Sequence, residues 1–169
     1  MPERRPVVSG IVIKYSGLFN AKELWKLIEN WFDENGYSDR PEVYHDEYVV
    51  KGHKDIEIRY QPYRKVSDYM KLEHRLIIKI LDLEKKTITK DGHKIKVDKA
   101  DLNIRFDSFL NTDYEGRWEN TPGFFFIRTL FDKFVFKTYT GKYEQMLGDQ
   151  VQEMKTLIEK YLNIYRSNS

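Results

Sequence analysis

Apolar residues along the chain alternate between two spacings, and each change of spacing marks an element. Val7 to Tyr15 is rich in β-branched residues (Val7, Val8, Ile11, Val12 and Ile13, with Gly10 the one weak point) and predicts a first strand. Leu24, Leu27, Ile28 and Trp31 then recur at three- and four-residue intervals, which places them on one face of a helix. Asn20 can cap that helix, and Glu23 three residues on can reach back to complete a capping box. Asn35-Gly36 supplies the left-handed stop of a helix C-terminus.

From Glu42 the period falls to two. Ile56, Ile58 and Tyr60 alternate with Asp55, Glu57, Arg59 and Gln61, a half-buried strand preceded by a turn at Lys51-Gly52-His53-Lys54. A longer strand carries Met70, Leu72, His74, Leu76, Ile78 and Ile80 on one face and Tyr69, Lys71, Glu73, Arg75 and Lys79 on the other. Asp82 and Glu84, beside Lys85 and Lys86, read as a strand-to-strand turn. Asp91-Gly92 is a hairpin signal between Thr87–Lys90 and Lys94–Val97. A last strand turns Leu102, Ile104 and Phe106 inward against Asn103, Arg105 and Asp107, and Phe109-Leu110 breaks the alternation, so a bulge or strand end is expected near Ser108. Short connections favour antiparallel pairing, because parallel neighbours need long crossovers. Thr121-Pro122 opens an aromatic-rich helix through about Phe136. A final helix carries Tyr143, Leu147, Val151, Met154, Ile158, Tyr161 and Tyr165 on one stripe. If continuous it is roughly 34 Å long, about the span of a domain. The expectation is a single α+β domain over 1–169 with an ordered core of about 7–165. An antiparallel β-meander packs on a long C-terminal helix, with one N-terminal helix and one aromatic-rich helix before the last.

The order strand, helix, several antiparallel strands and long amphipathic terminal helix, running from Val7 to Tyr165, resembles the helix-grip superfamily, which includes START-like lipid-transfer domains. The resemblance lies in the order of elements, with no sequence motif. It implies a curved sheet wrapped around the terminal helix, often with an apolar cavity between them. The chain departs from that pattern in having one clear helix between its first two strands, where two are usual, and in the added Phe124–Phe136 helix.

Composition narrows the function classes. Among the 169 residues 40% are hydrophobic and 33% charged, values that suit neither a membrane-spanning nor a compositionally disordered chain. Lysine and arginine number 29 against 27 acids, a formal +2, which excludes a polyelectrolyte of the histone kind but not a local basic patch. With no cysteine the chain forms no disulfide, thiolate metal site, cysteine nucleophile or iron–sulfur cluster. The polar start Met1-Pro2-Glu3-Arg4-Arg5-Pro6 lacks a secretory signal pattern. The most apolar stretch, Phe124 to Phe136, is interrupted by Arg128, Asp132 and Lys133 and falls short of the roughly 20 residues a span requires. A cytoplasmic protein is expected.

The candidate chemistry is sparse. His45, His53, His74 and His93 are dispersed without metal-ligand spacing. His74 alone interrupts an apolar row, either to contact a ligand's polar head or to bond a core neighbour. The carboxylates Asp82 and Glu84, and likewise Asp113, Glu115 and Glu119, suit acid–base work or a hard cation if sheltered, and are solvated turn charges otherwise. No nucleophile elbow, phosphate-binding lysine loop or dinucleotide fingerprint occurs. No enzyme activity and no cofactor are therefore expected. Lys85, Lys86, Lys90, Lys94, Lys96 and Lys99, with two acids among them, give the second hairpin a local +4. Such a patch can touch phosphate on RNA, ribosomes or anionic lipid, or merely keep strand edges soluble. Arg59-Tyr60-Gln61-Pro62-Tyr63-Arg64-Lys65 interleaves cations with rings, but Tyr60 belongs to an inward row, which leaves Tyr63 alone as a stacking platform. The rings from Phe109 to Tyr139 form the largest anomaly: thick core, cavity wall, or interface.

The leading expectation is a non-enzymatic binding domain for a hydrophobic small molecule or lipid. Leu76, Ile78, Ile104, Phe106, Phe131, Met154, Ile158 and Tyr161 would line its pocket, with His74 as the polar contact. One rival is an assembly module that buries Phe124, Phe125, Phe131 and Phe134 against a second copy or another protein. The other is an RNA- or ribosome-associated protein that uses the Lys85–Lys99 hairpin.

Overall fold

The computed structural model describes residues 3–115, 123, 126–127, 129–130 and 136–166, without the side chains of 136–138. Its elements are β1 (Glu3–Phe19), α1 (Ala21–Glu34), β2 (Glu42–Val50), β3 (His53–Tyr60), β4 (Tyr63–Lys65), β5 (Met70–Lys90), β6 (His93–Thr112) and α2 (Phe136–Arg166). Gly123, Phe126, Ile127, Thr129 and Leu130 are also helical. Thr121, Pro122, Phe124, Phe125, Phe131 and Phe134, assigned to the same helix by sequence, lie outside the described residues.

The strands form one antiparallel sheet in the order β1-β6-β5-β3-β2. From β2 to β6 the chain meanders, as the short connections require. The first strand then joins the last, Ile13 opposite Ile104 and Phe19 opposite Asp98. Pro62 has no N–H to give a ladder, so β3 stops before it, and β4 resumes on the same side of β5 with Tyr63 opposite Glu73. Both two-residue hairpin turns have two consecutive left-handed residues, Lys51-Gly52 (φ 50° and 86°) and Asp91-Gly92 (φ 50° and 78°). That is the backbone of a turn whose twist matches its strands.

Two sequence expectations change. The Asp82–Glu84 turn is a bulge inside a continuous β5: between the pairs Leu81–Asp101 and Glu84–Lys99, the two residues Asp82 and Leu83 face one, Ala100. Asp82 takes a left-handed φ of 54°, and its N–H donates to Asp55 Oδ1 at 2.8 Å. The polar insert is absorbed without ending the strand, and β5 and β6 run on as one long hairpin. The irregularity expected near Ser108 lies in the facing strand, where β1 shifts register between Pro6 and Val8 and between Val8 and Ile11.

The helices cap and pack largely as their sequences dictate. Asn20 Oδ1 accepts the Glu23 N–H at 3.1 Å, and Gly36 closes α1 at φ 76°. The return half of the capping box is replaced: Asn20 N–H donates to Tyr161 Oη of α2 (3.2 Å), and that hydroxyl donates to the Asn20 carbonyl (2.9 Å). Leu24, Ile28, Trp31 and Phe32 of α1 and Leu147, Val151, Met154, Ile158 and Leu162 of α2 close over the inward rows of β1, β5 and β6 in a single core. No described helix is long and apolar enough to cross a membrane.

Candidate functional site

His74 sits in the apolar row of β5 at 3% exposure, between a serine of β6 and two polar groups from beyond the sheet. Its Nδ1 lies 2.6 Å from Ser108 Oγ, and its Nε2 lies 2.9 Å from Tyr37 Oη and 3.3 Å from Gln150 Oε1. Tyr37 Oη–H donates to Gln150 Oε1 at 2.7 Å, which leaves its oxygen to accept from Nε2–H. Ser108 Oγ–H then donates to Nδ1, so a neutral ring with its proton on Nε2 satisfies every member. Burial drives the His74 pKa down to about 4. The hydrogen bond to Gln150 opposes that shift, and the Arg64 charge adds to it. Burial likewise pushes the Tyr37 hydroxyl well above its ordinary range.

A serine hydroxyl against an imidazole is the geometry of an activated nucleophile. Here, however, Ser108 is wholly buried, and what the distances accomplish is the satisfaction of polar groups inside the core. An open cleft of about 650 Å³ borders this network where α1 ends against α2, with Asn35, Gly36, Arg64, Met146 and Gln150 in its lining. Arg64 is already engaged there: it donates to the Asn35 carbonyl (2.9 Å) and lies over the Tyr37 ring.

The residues expected to line an apolar pocket do come together. Leu76, Ile78, Ile104, Phe106, Met154 and Ile158 are all 0–3% exposed and share one packed cluster, with Tyr161 at its margin. They pack in one buried cluster, and four clefts among the described residues are lined by other side chains. Phe131 lies outside the described residues, as do Phe124, Phe125 and Phe134 of the expected interface. Nearby Phe126, Ile127 and Leu130 are exposed. The Arg59–Lys65 segment offers no open stacking platform. Tyr60 is buried and bonds Glu29, Arg64 turns to the end of α1, and Lys71 covers the Tyr63 ring.

The six lysines of the hairpin form the most distinct surface feature. β3 accompanies β5 only to Leu83, and β1 accompanies β6 only from Asp98. Between Lys85 and Val97 the two strands therefore pair with each other alone, as a ribbon extending about 17 Å past the sheet. Asp98 anchors its base, accepting the Ala21 N–H at the start of α1 (2.8 Å) and pairing with Lys85. Lys86 pairs with Glu84 at 2.7 Å, whereas Lys90, Lys94 and Lys96 are exposed and make no ion pair among the described residues. Strand alternation puts Thr87, Thr89, Lys94 and Lys96 on one ribbon face, and Lys86, Lys90, His93 and the Ile88–Ile95 pair on the other. Asp98, Ser108, Tyr37 and Gln150 went unassigned by sequence. Ser108 alone left a local trace there, in the broken alternation at Phe109-Leu110.

Compared with protein-family models, with curated proteins and with solved structures, the chain gives no match.

Proposed function

We propose that the chain is a nucleic-acid-binding domain whose Lys85–Lys99 ribbon contacts backbone phosphates. What carries this is charge placed on a projecting element. The ribbon bears +4 while the whole chain is +2, so the rest nets −2, and four of its six lysines, Lys90, Lys94, Lys96 and Lys99, make no ion pair among the described residues. A two-stranded ribbon is narrow enough to enter the major groove of a B-form duplex, and lysines on both of its faces can reach phosphates on either side. Thr87 and Thr89 add hydroxyl donors on one face. Lone hairpins gain little stability in water, so such an arm is better explained by a partner than by a contribution to the core.

The test is binding of fluorescent duplex RNA, duplex DNA and single-stranded RNA across a salt series, with anionic vesicles as a control. With three phosphates neutralised by Lys90, Lys94 and Lys96, log affinity should fall with log salt at a slope about 3 units steeper than in the triple Lys→Gln variant. Binding that keeps its salt slope in the variant, or that appears only on vesicles, overturns the proposal. The apolar-ligand reading has the element order behind it, but its expected lining residues, Phe131 apart, share one buried cluster and line none of the four clefts described above. A copurifying apolar molecule in native mass spectrometry would restore it.

A further inference from the structure

We propose that β2 is a self-association edge, through which two copies of the chain pair antiparallel and continue their sheets into one. The two edges of the sheet differ in how they are protected. β1 carries Arg4, Arg5, Pro6 and Lys14 and two register shifts, the devices that keep an exposed edge from pairing. β2 has neither lysine nor proline in its nine residues, every one of them exposed, and Val49 reaches 73%. Val43, Tyr44, Tyr48 and Val50 are exposed beside it. Its single irregularity, at Val43, lies at one end and leaves Tyr44–Val50 in unbroken register with β3.

The occupant follows from the strand's own order of residues. In antiparallel pairing, opposed residues both point their backbone groups toward the partner or both away, so in two copies of one strand they differ by an even number. Centring the pair on His45 sets Tyr44 opposite Asp46 and Val43 opposite Glu47. Centring it on Glu47 sets His45 opposite Val49 and Asp46 opposite Tyr48. Only the centre at Asp46 matches like with like and charge with countercharge. Tyr44 then meets Tyr48, and His45 meets Glu47, each twice by symmetry, while Val49 reaches the Val43 of the second copy. His45 already bonds Glu42 and Glu47 within the chain (2.8 and 2.9 Å), so the opposed groups extend a run of alternating sign. At the ends Glu42 meets Val50, and the one like-charge mismatch is Asp46 facing itself on the axis.

That mismatch makes the test sharp, because removing it should strengthen association, which loss of fold cannot imitate. Light scattering on the full chain over a wide concentration range should show a monomer–dimer equilibrium. Asp46→Asn should tighten it about threefold, the effect of relieving one like-charge cross-strand pair. His45→Glu, which opposes two carboxylates twice, should weaken it about tenfold, and His45→Glu with Glu47→Lys should recover it. Val49→Lys should give a monomer whose thermal melt matches the wild type at concentrations low enough that both are monomeric. A chain that stays monomeric throughout, Asp46→Asn included, overturns the proposal. So does a dimer indifferent to Asp46→Asn and His45→Glu, which would place the contact elsewhere, for instance at exposed Phe126. The Lys→Gln ribbon variant should dimerise normally, so the two proposals fail separately.

Discussion

Replacing His74 with glutamine should alter how the protein responds to acid more than it alters the protein at neutral pH. In the unfolded chain the ring takes up a proton near 6.5, whereas in the fold burial holds it neutral until about 4. Each tenfold in proton affinity is about 1.4 kcal/mol, so the folded chain disfavours the protonated ring by roughly 3 kcal/mol. The sign follows from linkage. Between those two values the unfolded state binds the extra proton, so stability falls as pH drops through the window, and the loss is complete below about 4. Glutamine can accept from Ser108 and donate to Tyr37 while titrating nowhere in this range. Urea unfolding of both proteins at about pH 7.5 and about pH 4.5 isolates the effect, because the other titrating groups cancel in the difference. The wild type should lose roughly 2.5 kcal/mol more than His74→Gln between the two conditions. Equal losses would mean that the ring meets water in the folded state, and would refute the sealed network.

Two further perturbations test other parts of the fold, alongside the ribbon and edge variants. Asp107 is buried on the opposite face of β6 from His74's partner Ser108, yet it accepts from Arg75 (2.7 and 3.2 Å) and from the Gly10 N–H at the β1 irregularity (2.8 Å). Burial alone would raise its pKa; the Arg75 hydrogen bond and the Gly10 N–H outweigh burial and hold the carboxyl below its ordinary range. Asp107→Asn should therefore cost about 2 kcal/mol at neutral pH by denaturant titration. The difference from wild type should shrink as pH falls through the depressed carboxyl pKa, where the wild type loses the same charge. Asn20→Ala removes the acceptor for the Glu23 N–H and should cost about 1 kcal/mol, a melting shift of roughly 2–4 °C, since the Tyr161 bonds to the Asn20 backbone survive.

What the residues determined alone was local and periodic. The stripe on α1, its Asn20 cap and Gly36 stop, the inward rows of β5 and β6, the Asp91-Gly92 turn and the lysine cluster follow from steric and hydrogen-bonding rules acting within a few residues. Tertiary structure decided whatever depends on partners far along the chain. Nothing near Val7 specifies that β1 should lie beside β6. Nothing near His74 announces Tyr37, Gln150 and Ser108, which arrive from three different segments to satisfy its ring. Asp98 caps α1 from 77 residues away, and Tyr161 displaces the expected Glu23 return contact from 141. The lysines were legible as a run, but their projection was not, because a hairpin becomes an arm only when its neighbours β1 and β3 end before it does. The bareness of β2 likewise belongs to the assembled sheet. A strand becomes an edge by the order in which others pair, and no residue within β2 encodes that order.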